Sequence, residues 1–436
     1  MNWNTHHYYT ARDSGLYSKL RLNDSAKQSL EQLRGVVRSR IKEIFEEAKI
    51  LAKESEEKNL SLEVIHERLM NTKFKHLDNE ARNDLANLFK EMEPKARESF
   101  LQLTPRFWTQ GSFQYDTLNQ PYIVPPQEMD IDDGTYLPME VFEGTPVVGH
   151  RLLLLLVDTA LCSLANENLS WYFEAKRTCG RIKIPSHNTH IDVPMYAVPR
   201  EEFFKKVEAT ARINEHRALF GESEPLEDER ASFKLDPDNV NLALREGDQK
   251  WCKSDPKIVA DWFNDECTYY GRHLKKICRF IKAWRDVHWE KGGPSSITLM
   301  AAVVEAFRST KIEPSDLGAG MIAVTEKLPE IFERGIESPD HTDEKLLFPP
   351  TPEDPEFKAS VITKLRELHQ NLYYAQSAES KTEAFNYLAK AFGNRVTDDD
   401  LIVRSEAAPA FEADPEVTSK PKKISNTLSS GYQDIA

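Results

Sequence analysis

Three features of the sequence predict an α+β protein whose second half is helical. Apolar residues recur at helical spacing through the first hundred residues, short β-rich runs carrying lone acids lie between 106 and 196, and helical spacing returns after about 255. At 436 residues the chain exceeds what one hydrophobic core serves, so two lobes are expected. The expected division is a first lobe at 1–235 with the strands and N-terminal helices, a helical lobe at 236–405 that completes a cleft, and a disordered tail at 406–436.

From Leu30 onward, Leu33, Val37, Ile41, Ile44, Ala48 and Leu51 step by three and four along one face of a long helix, a candidate spine with Asn23 or Asp24 as its cap. Amphipathic segments at 62–70 and 81–92 follow, before the pattern changes at Thr104-Pro105. The runs 129–132, 180–184 and 189–195 are strand-like, and residues 185–188 suit a hairpin loop joining the last two. A buried helix at 151–165 lies among them. Residues 221–230, with Glu222, Glu224, Glu227, Asp228 and Glu229, form an acidic stretch without periodicity, expected as a mobile surface loop.

Asp255-Pro256 is a helix start, because proline fits the first helical position. Leu274, Ile277, Ile281 and Trp284 carry another helical stripe, and a further helix should begin near Ser295. A proline-rich loop over 337–355 interrupts the lobe, which resumes from about Lys358 toward Phe392. From Ala407 onward Pro, Ser, Lys and Asp dominate, hence the disordered tail.

A formal net charge of -14 argues against a protein that coats DNA or RNA, since non-specific nucleic-acid affinity comes from Lys and Arg neutralising phosphates. Cys162, Cys179, Cys252, Cys267 and Cys278 are scattered without a Cys-x-x-Cys pair, which fits free thiols in a reducing compartment. The first twenty residues lack an apolar signal region, and the longest apolar run, 152–157, is far short of the roughly 18 to 20 residues a membrane helix needs. A cytoplasmic protein without membrane association is expected.

The chemistry is carried by Gln110-Gly111-Ser112 and, eighteen residues after Ser112, Asp130-Ile131-Asp132. On a strand, residues i and i+2 share a face with Cα atoms about 6.6 Å apart, so both acids can hold a cation while Ile131 faces the core. Asp192, a lone acid in a second β-like run, is the third candidate ligand. Converging carboxylates suit Mg²⁺, and two ions about 3.5 to 4 Å apart activate a hydroxyl and stabilise leaving pyrophosphate. Gly111 and Ser112 would grip a triphosphate through amides and hydroxyl, and Tyr115 could stack on a base. Taken singly, a Gly-Ser turn, an Asp-x-Asp edge and a strand aspartate each have ordinary structural explanations. In this order within an α+β lobe they point to nucleotidyl transfer.

A resemblance then becomes specific. Thr104-Pro-Arg-Phe-Trp-Thr-Gln-Gly-Ser-Phe-Gln-Tyr-Asp-Thr117, Gln127-Glu-Met-Asp-Ile-Asp-Asp-Gly134 and Thr189-His-Ile-Asp-Val-Pro-Met-Tyr196 resemble the cGAS/DncV-like nucleotidyltransferases, in particular their bacterial cyclic GMP-AMP synthases. The likeness continues through 241–247, 279–285, 292–296 and 337–340, and fades in the acidic loop and near the tail. It implies a polymerase-β-like nucleotidyltransferase lobe with a mixed sheet plus a helical C-terminal lobe, joined by the long N-terminal helix. The resemblance implies Asp130, Asp132 and Asp192 as metal ligands and catalytic residues, and Mg²⁺ as cofactor, two ions, with Mn²⁺ able to substitute. It implies nucleotide contacts from Gln110, Ser112, Tyr115, Arg181, Lys282, Ser296 and Asp343, to which the residue reading adds Gly111 in the phosphate turn and Ser295 at a helix N-terminus. A lysine point charge and a helix N-terminus do suit a triphosphate, although alone Lys282 reads as a solvated lysine and Ser296 as an ordinary cap.

The implied reaction makes 3′,3′-cyclic GMP-AMP from ATP and GTP with release of pyrophosphate, as a second messenger that switches on a separate effector in anti-phage (CBASS) defence. The alternatives are a related transferase making another cyclic di- or trinucleotide or linear oligonucleotides, and a nucleotide-binding regulatory module without catalysis. The family also suggests an E1/E2-like conjugation partner acting on the C-terminal tail. Direct activation by DNA is not expected, since the cysteine pattern holds no counterpart of the zinc-bearing insertion of animal relatives. His187 and His190 lack zinc-binding companions and read as structural, and Asp398, Asp399 and Asp400 read as a helix start or solvated acids.

Overall fold

The computed structural model describes residues 3–139, 141–142, 145–146, 148–201, 203–204, 239–340, 346–350 and 354–405. The chain opens with β1 (Trp3–Asn4) and two short helices, α1 (His6–Thr10) and α2 (Leu16–Leu20). The expected long helix is α3 (Asp24–Glu57), and Asn23 caps it by accepting from the Ala26 amide at 2.7 Å. Its buried apolar residues join one core with those of α4 (Leu62–Met70), α5 (Asn79–Lys90) and α6 (Pro94–Gln102).

The next strand, β2 (Arg106–Gln110), was not evident from periodicity; the short α7 (Gly111–Gln114) and β3 (Met129–Met139) follow. β4 (Val141–Phe142) and β5 (Thr145–Pro146) pair with each other. The expected buried helix is α8 (His150–Glu167), whose unbroken apolar run is covered on all sides because α8 packs among α3, α5 and the strands β6 (Tyr172–Ala175) and β7 (Cys179–Ile184). The expected hairpin joins β7 to β8 (Thr189–Pro199), and Asn188, at φ 47°, makes the left-handed turn.

β3 and β8 run parallel, with β2 antiparallel on the far side of β3. β7 covers only the first part of β8, so β8 has free edge groups near Tyr196, and β9 (Asn241–Ala243) pairs there and carries β10 (Trp251–Lys253) with it. The expected lobe boundary at 235/236 therefore moves: β9 and β10 complete the sheet of the first lobe, and the helical lobe starts with α9 (Pro256–Tyr270).

The helical lobe continues through α10 (His273–His288), α11 (Ser296–Ser309), α12 (Leu317–Arg334), α13 (Pro355–Ser377) and α14 (Lys381–Phe392). Asp255 and Ser295 cap α9 and α11 as expected. The lobe resumes toward Phe392 as expected, in two helices, because the Ser380 hydroxyl accepts from the Glu383 amide (3.1 Å) and starts α14 afresh. Asp398 likewise caps a short 3₁₀ turn over Asp399–Leu401, a structural role for that acidic run. β1 pairs with β11 (Val403–Arg404), and Trp3, Tyr8, Tyr9, Leu16 and Leu20 are buried in the core of this lobe. The acidic stretch at 221–230 and the tail at 406–436 lie outside the described residues.

The long helix α3 thus belongs to the sheet lobe's core, and contacts elsewhere join the lobes. Arg279 of α10 is 3% exposed and donates to the Asp116 carbonyl (3.0 Å), the Leu118 carbonyl (2.7 Å), and the side chains of Asn119 (3.2 Å) and Asp116 (3.0 Å). Asn119 returns a hydrogen bond to the Arg279 carbonyl at 2.9 Å. Replacing Arg279 by Met leaves the buried Leu118 carbonyl and Asn119 side chain without this donor, so Arg279→Met should lower unfolding free energy by about 3 kcal/mol in chemical denaturation. Arg279→Lys should recover only part, since an ammonium cannot fork to four acceptors.

Candidate active site

The parallel register decides which side chains meet. On adjacent strands Asp132 stands beside Asp192 and Asp130 beside His190. β2 sets Gln110 beside Asp132, while β7 sets Arg181 beside Asp192 and Lys183 beside His190. Alternation along each strand puts all of these on one face, as two transverse rows. One row is Gln110, Asp132, Asp192, Arg181; the other is Asp130, His190, Lys183. Ile131, Ile191 and Val193 fall on the opposite face, in the core beneath α3 and α8. Asp133 is also on that face, where it is 1% exposed and paired with Arg38 at 2.5 Å. It is structural, unlike its neighbours.

Arg181 grips Asp192 with two hydrogen bonds, Nε at 2.6 Å and Nη2 at 2.7 Å. Burial, reinforced by the charges of Asp130 and Asp192, pushes the Asp132 carboxyl well above the usual carboxylate range. Asp130 goes the other way. Burial would raise it, but His190, helped by Arg181 and Lys282, holds it below the usual range. One buried oxygen of Asp130 has no hydrogen-bond partner. Among the described residues, Asp130, His190 and Asp192 can offer ligand atoms within 4.8 Å of one another, and Asp132 adjoins this group. A crowd of carboxylates of this kind fits a hard divalent cation, which would take up the second Asp130 oxygen and relieve the repulsion on Asp132.

The phosphate-gripping candidates lie beside these acids. Gly111 has φ +64°, and a Cβ there would meet Asp132 Oδ2, so any other residue would be strained and would displace the carboxylate. Ser112 Oγ accepts from Lys282 Nζ at 2.8 Å, and Lys282 also donates to the Thr117 carbonyl at 2.7 Å. Far from being a solvated lysine, Lys282 is 2% exposed, and burial, with Arg285 nearby, pushes its amine down to about 7. Gln110 spans the Tyr136 hydroxyl (3.0 Å) and the Tyr196 hydroxyl (3.2 Å), so its side-chain amide is engaged within the sheet lobe.

The Tyr115 ring, a candidate for stacking on a base, is buried and packs on Phe263, 5.9 Å between centroids. Ser295 uses its hydroxyl to cap α11 (3.2 Å to the Thr298 amide), and Ser296 accepts from Arg285 at 3.2 Å. Asp343 lies outside the described residues.

Comparisons with known proteins bear on the same segments. Residues 105–196 match the family model "Cyclic GMP-AMP synthase DncV-like, nucleotidyltransferase domain", and residues 271–405 match "Cyclic GMP-AMP synthase, C-terminal domain". The cyclic GMP-AMP synthase of Vibrio cholerae is 52% identical over 99% of this chain and 100% of its own length. The chain belongs to this family. A cyclic GMP-AMP synthase of Escherichia coli is 47% identical over 99% of this chain and all of its own. Among solved structures, a mutant of the Vibrio cholerae di-nucleotide cyclase in complex with ATP, GTP and 5MTHFGLU2 superposes with a TM-score of 0.86 at 52% identity, covering 93% of this chain and 100% of that one. Another, the Vibrio cholerae synthase with a linear intermediate of pppApG type, gives 0.84 with the same identity and coverage. The α+β nucleotidyltransferase fold with its helical C-terminal lobe is thereby established for this chain.

His190 is the residue that sequence reasoning set aside. Its Nδ1 lies 2.9 Å from Glu128 Oε2 and its Nε2 2.9 Å from Asp130 Oδ1. The signal was present in the alternation, since His190 and Asp192 are two apart on one strand and must share a face.

Two predictions follow from this geometry. Gly111→Ala should retain the fold, judged by melting temperature, while lowering turnover about a hundredfold, because the new methyl and the left-handed backbone displace Asp132. Lys282, lowered in the folded protein, makes stability rise with pH from about 7 up to its unfolded value, and a bound triphosphate should return its proton. Calorimetry of nucleotide binding at pH 8, in buffers of different ionisation enthalpy, should show more proton uptake by the wild type than by Lys282→Met, by up to one proton.

Proposed function

We propose that this chain is a divalent-metal-dependent cyclic GMP-AMP synthase that joins ATP and GTP in two successive nucleotidyl transfers. The observation that carries the reading is the gathering of Asp130, Asp132 and Asp192 on one face of the β3–β8 pair, beside the Gly111–Ser112 turn and Lys282. In the reading, Asp130, Asp132 and Asp192 hold Mg²⁺, two ions, with Mn²⁺ able to replace it. Bound there, the cations supply Lewis-acid stabilisation of the triphosphate and of the attacking oxygen.

The chain's own residues do the rest. Ser112 and the backbone of α7 hold the donor triphosphate, and Lys282 places a charge behind it. Arg181 shares Asp192 in the free protein and is free to turn to phosphate once Asp192 is engaged. Asp192 receives the acceptor's 3′-hydroxyl and takes its proton, and the oxygen bonds to the α-phosphorus as the bond to the leaving pyrophosphate breaks. The linear product then turns around in the same cleft, and its free 3′-hydroxyl repeats the attack to close the ring. Ser296, Tyr115, Gln110 and Asp343 are proposed nucleotide contacts on family resemblance, and Ser295 on its place at a helix N-terminus.

The same reading places the enzyme in the cytoplasm as a source of second messenger for a separate effector in anti-phage defence, with the tail as substrate of an E1/E2-like conjugation partner. The described residues contain no helix long and apolar enough to cross a membrane.

Incubation with all four ribonucleoside triphosphates and Mg²⁺, followed by mass spectrometry of phosphatase-resistant products, tests the reaction. The expected product is 3′,3′-cyclic GMP-AMP, reduced about 10² to 10³-fold in Asp130→Asn and Asp132→Asn. A different cyclic or linear oligonucleotide would replace the product assignment, and binding of ATP without pyrophosphate release would favour a regulatory module.

A further inference from the structure

Next to the proposed cation site stands a chain of ionisable side chains that nucleotidyl transfer does not itself require. Lys183 Nζ is 3.3 Å from Glu128 Oε2, the same oxygen is 2.9 Å from His190 Nδ1, and His190 Nε2 is 2.9 Å from Asp130 Oδ1. Lys183 is further held over the Tyr172 ring, 5.6 Å from its centroid. The backbone enforces the order. His190 lies between Asp130 and Lys183 in the strand register, and Glu128 precedes β3 two residues before Asp130, on the same side.

We propose that Glu128 and His190 form a positioning pair for Asp130, braced by Lys183, which sets the rotamer in which that carboxylate meets a divalent cation. The proposal rests on the metal-site reading above. Asp130 needs such support. Its side chain is 46% exposed, and the terminal torsion of an aspartate is broad, so nothing along its own strand fixes the plane of the carboxylate. His190 is 8% exposed and cannot move aside. Glu128 orients the ring through Nδ1, which directs Nε2 at Oδ1 of Asp130 and leaves the other oxygen for the ion. Nε2 and Oδ1 face each other at 2.9 Å and neither atom has another partner among the described residues, so this contact is the one that braces the carboxylate. Partners of this kind commonly change metal affinity about 10 to 100-fold when removed.

The test is Mn²⁺ binding to the full-length protein, followed by the electron paramagnetic resonance of free and bound ion, with nitrogen couplings read from the echo modulation of the bound ion. Glu128→Gln and His190→Gln should each weaken Mn²⁺ about tenfold. Lys183→Gln should weaken it less, in the same direction. The melting temperature of metal-free Glu128→Gln should match the wild type, and extra Mg²⁺ should restore most of its turnover, which it should not do for Asp132→Asn. Unchanged Mn²⁺ affinity in both Glu128→Gln and His190→Gln would overturn the proposal. So would a nitrogen strongly coupled to bound Mn²⁺, which would make His190 a ligand. A wild type that binds no Mn²⁺ would remove the metal-site reading itself, and this proposal with it.

Discussion

Parallel pairing of β3 with β8 sets Asp132 beside Asp192 and Asp130 beside His190, and the rest of the site answers the charge that this pairing concentrates. A one-residue slip of β8 would send His190 and Asp192 into the apolar core beneath α3 and α8. The buried residues Ile131, Ile191 and Val193 forbid that slip, so the hydrophobic face of the sheet enforces the geometry of its polar face. Arg181 supplies positive charge at close range, and Gly111 supplies the room.

Neither lobe holds the complete site. The carboxylates belong to the sheet, whereas the buried amine that touches Ser112 comes from α10. Arg279, three residues before Lys282 and therefore on the same side of α10, anchors the segment 116–119 that follows α7. One helix face thus both anchors the segment that follows α7 and sets the Lys282 amine against Ser112. Burying Lys282 makes its charged form costly in the free protein, which reserves that charge for an anionic ligand.

Much of the fold was legible because it depends on local chemistry. The heptad-like steps of α3, the Asn23, Asp255 and Ser295 caps, the unbroken apolar run of α8 and the turn at Asn188 each show in a short window of sequence. What was missed depended on partners distant in the chain. β2, β9 and β10 are short and carry little alternation of their own, and they are strands because β3 and β8 present edges to pair with. Residues 3–20 fill the core of a lobe that begins more than two hundred residues later, a choice that no local pattern encodes.

The sequence by itself determined the residue types of the site and their alternation: acids at 130, 132 and 192, a glycine and serine at 111 and 112, and a histidine two before the last acid. Strand periodicity is a local property, and it is enough to say which of these share a face. The tertiary structure decided which of them touch. Strand register, set by packing of the whole sheet, paired Asp192 with Arg181, and the docking of α10 turned Lys282 from a surface lysine into a buried one. It also gave His190 a place between two carboxylates, because contact across strands depends on which strands become neighbours, and long-range packing alone selects them.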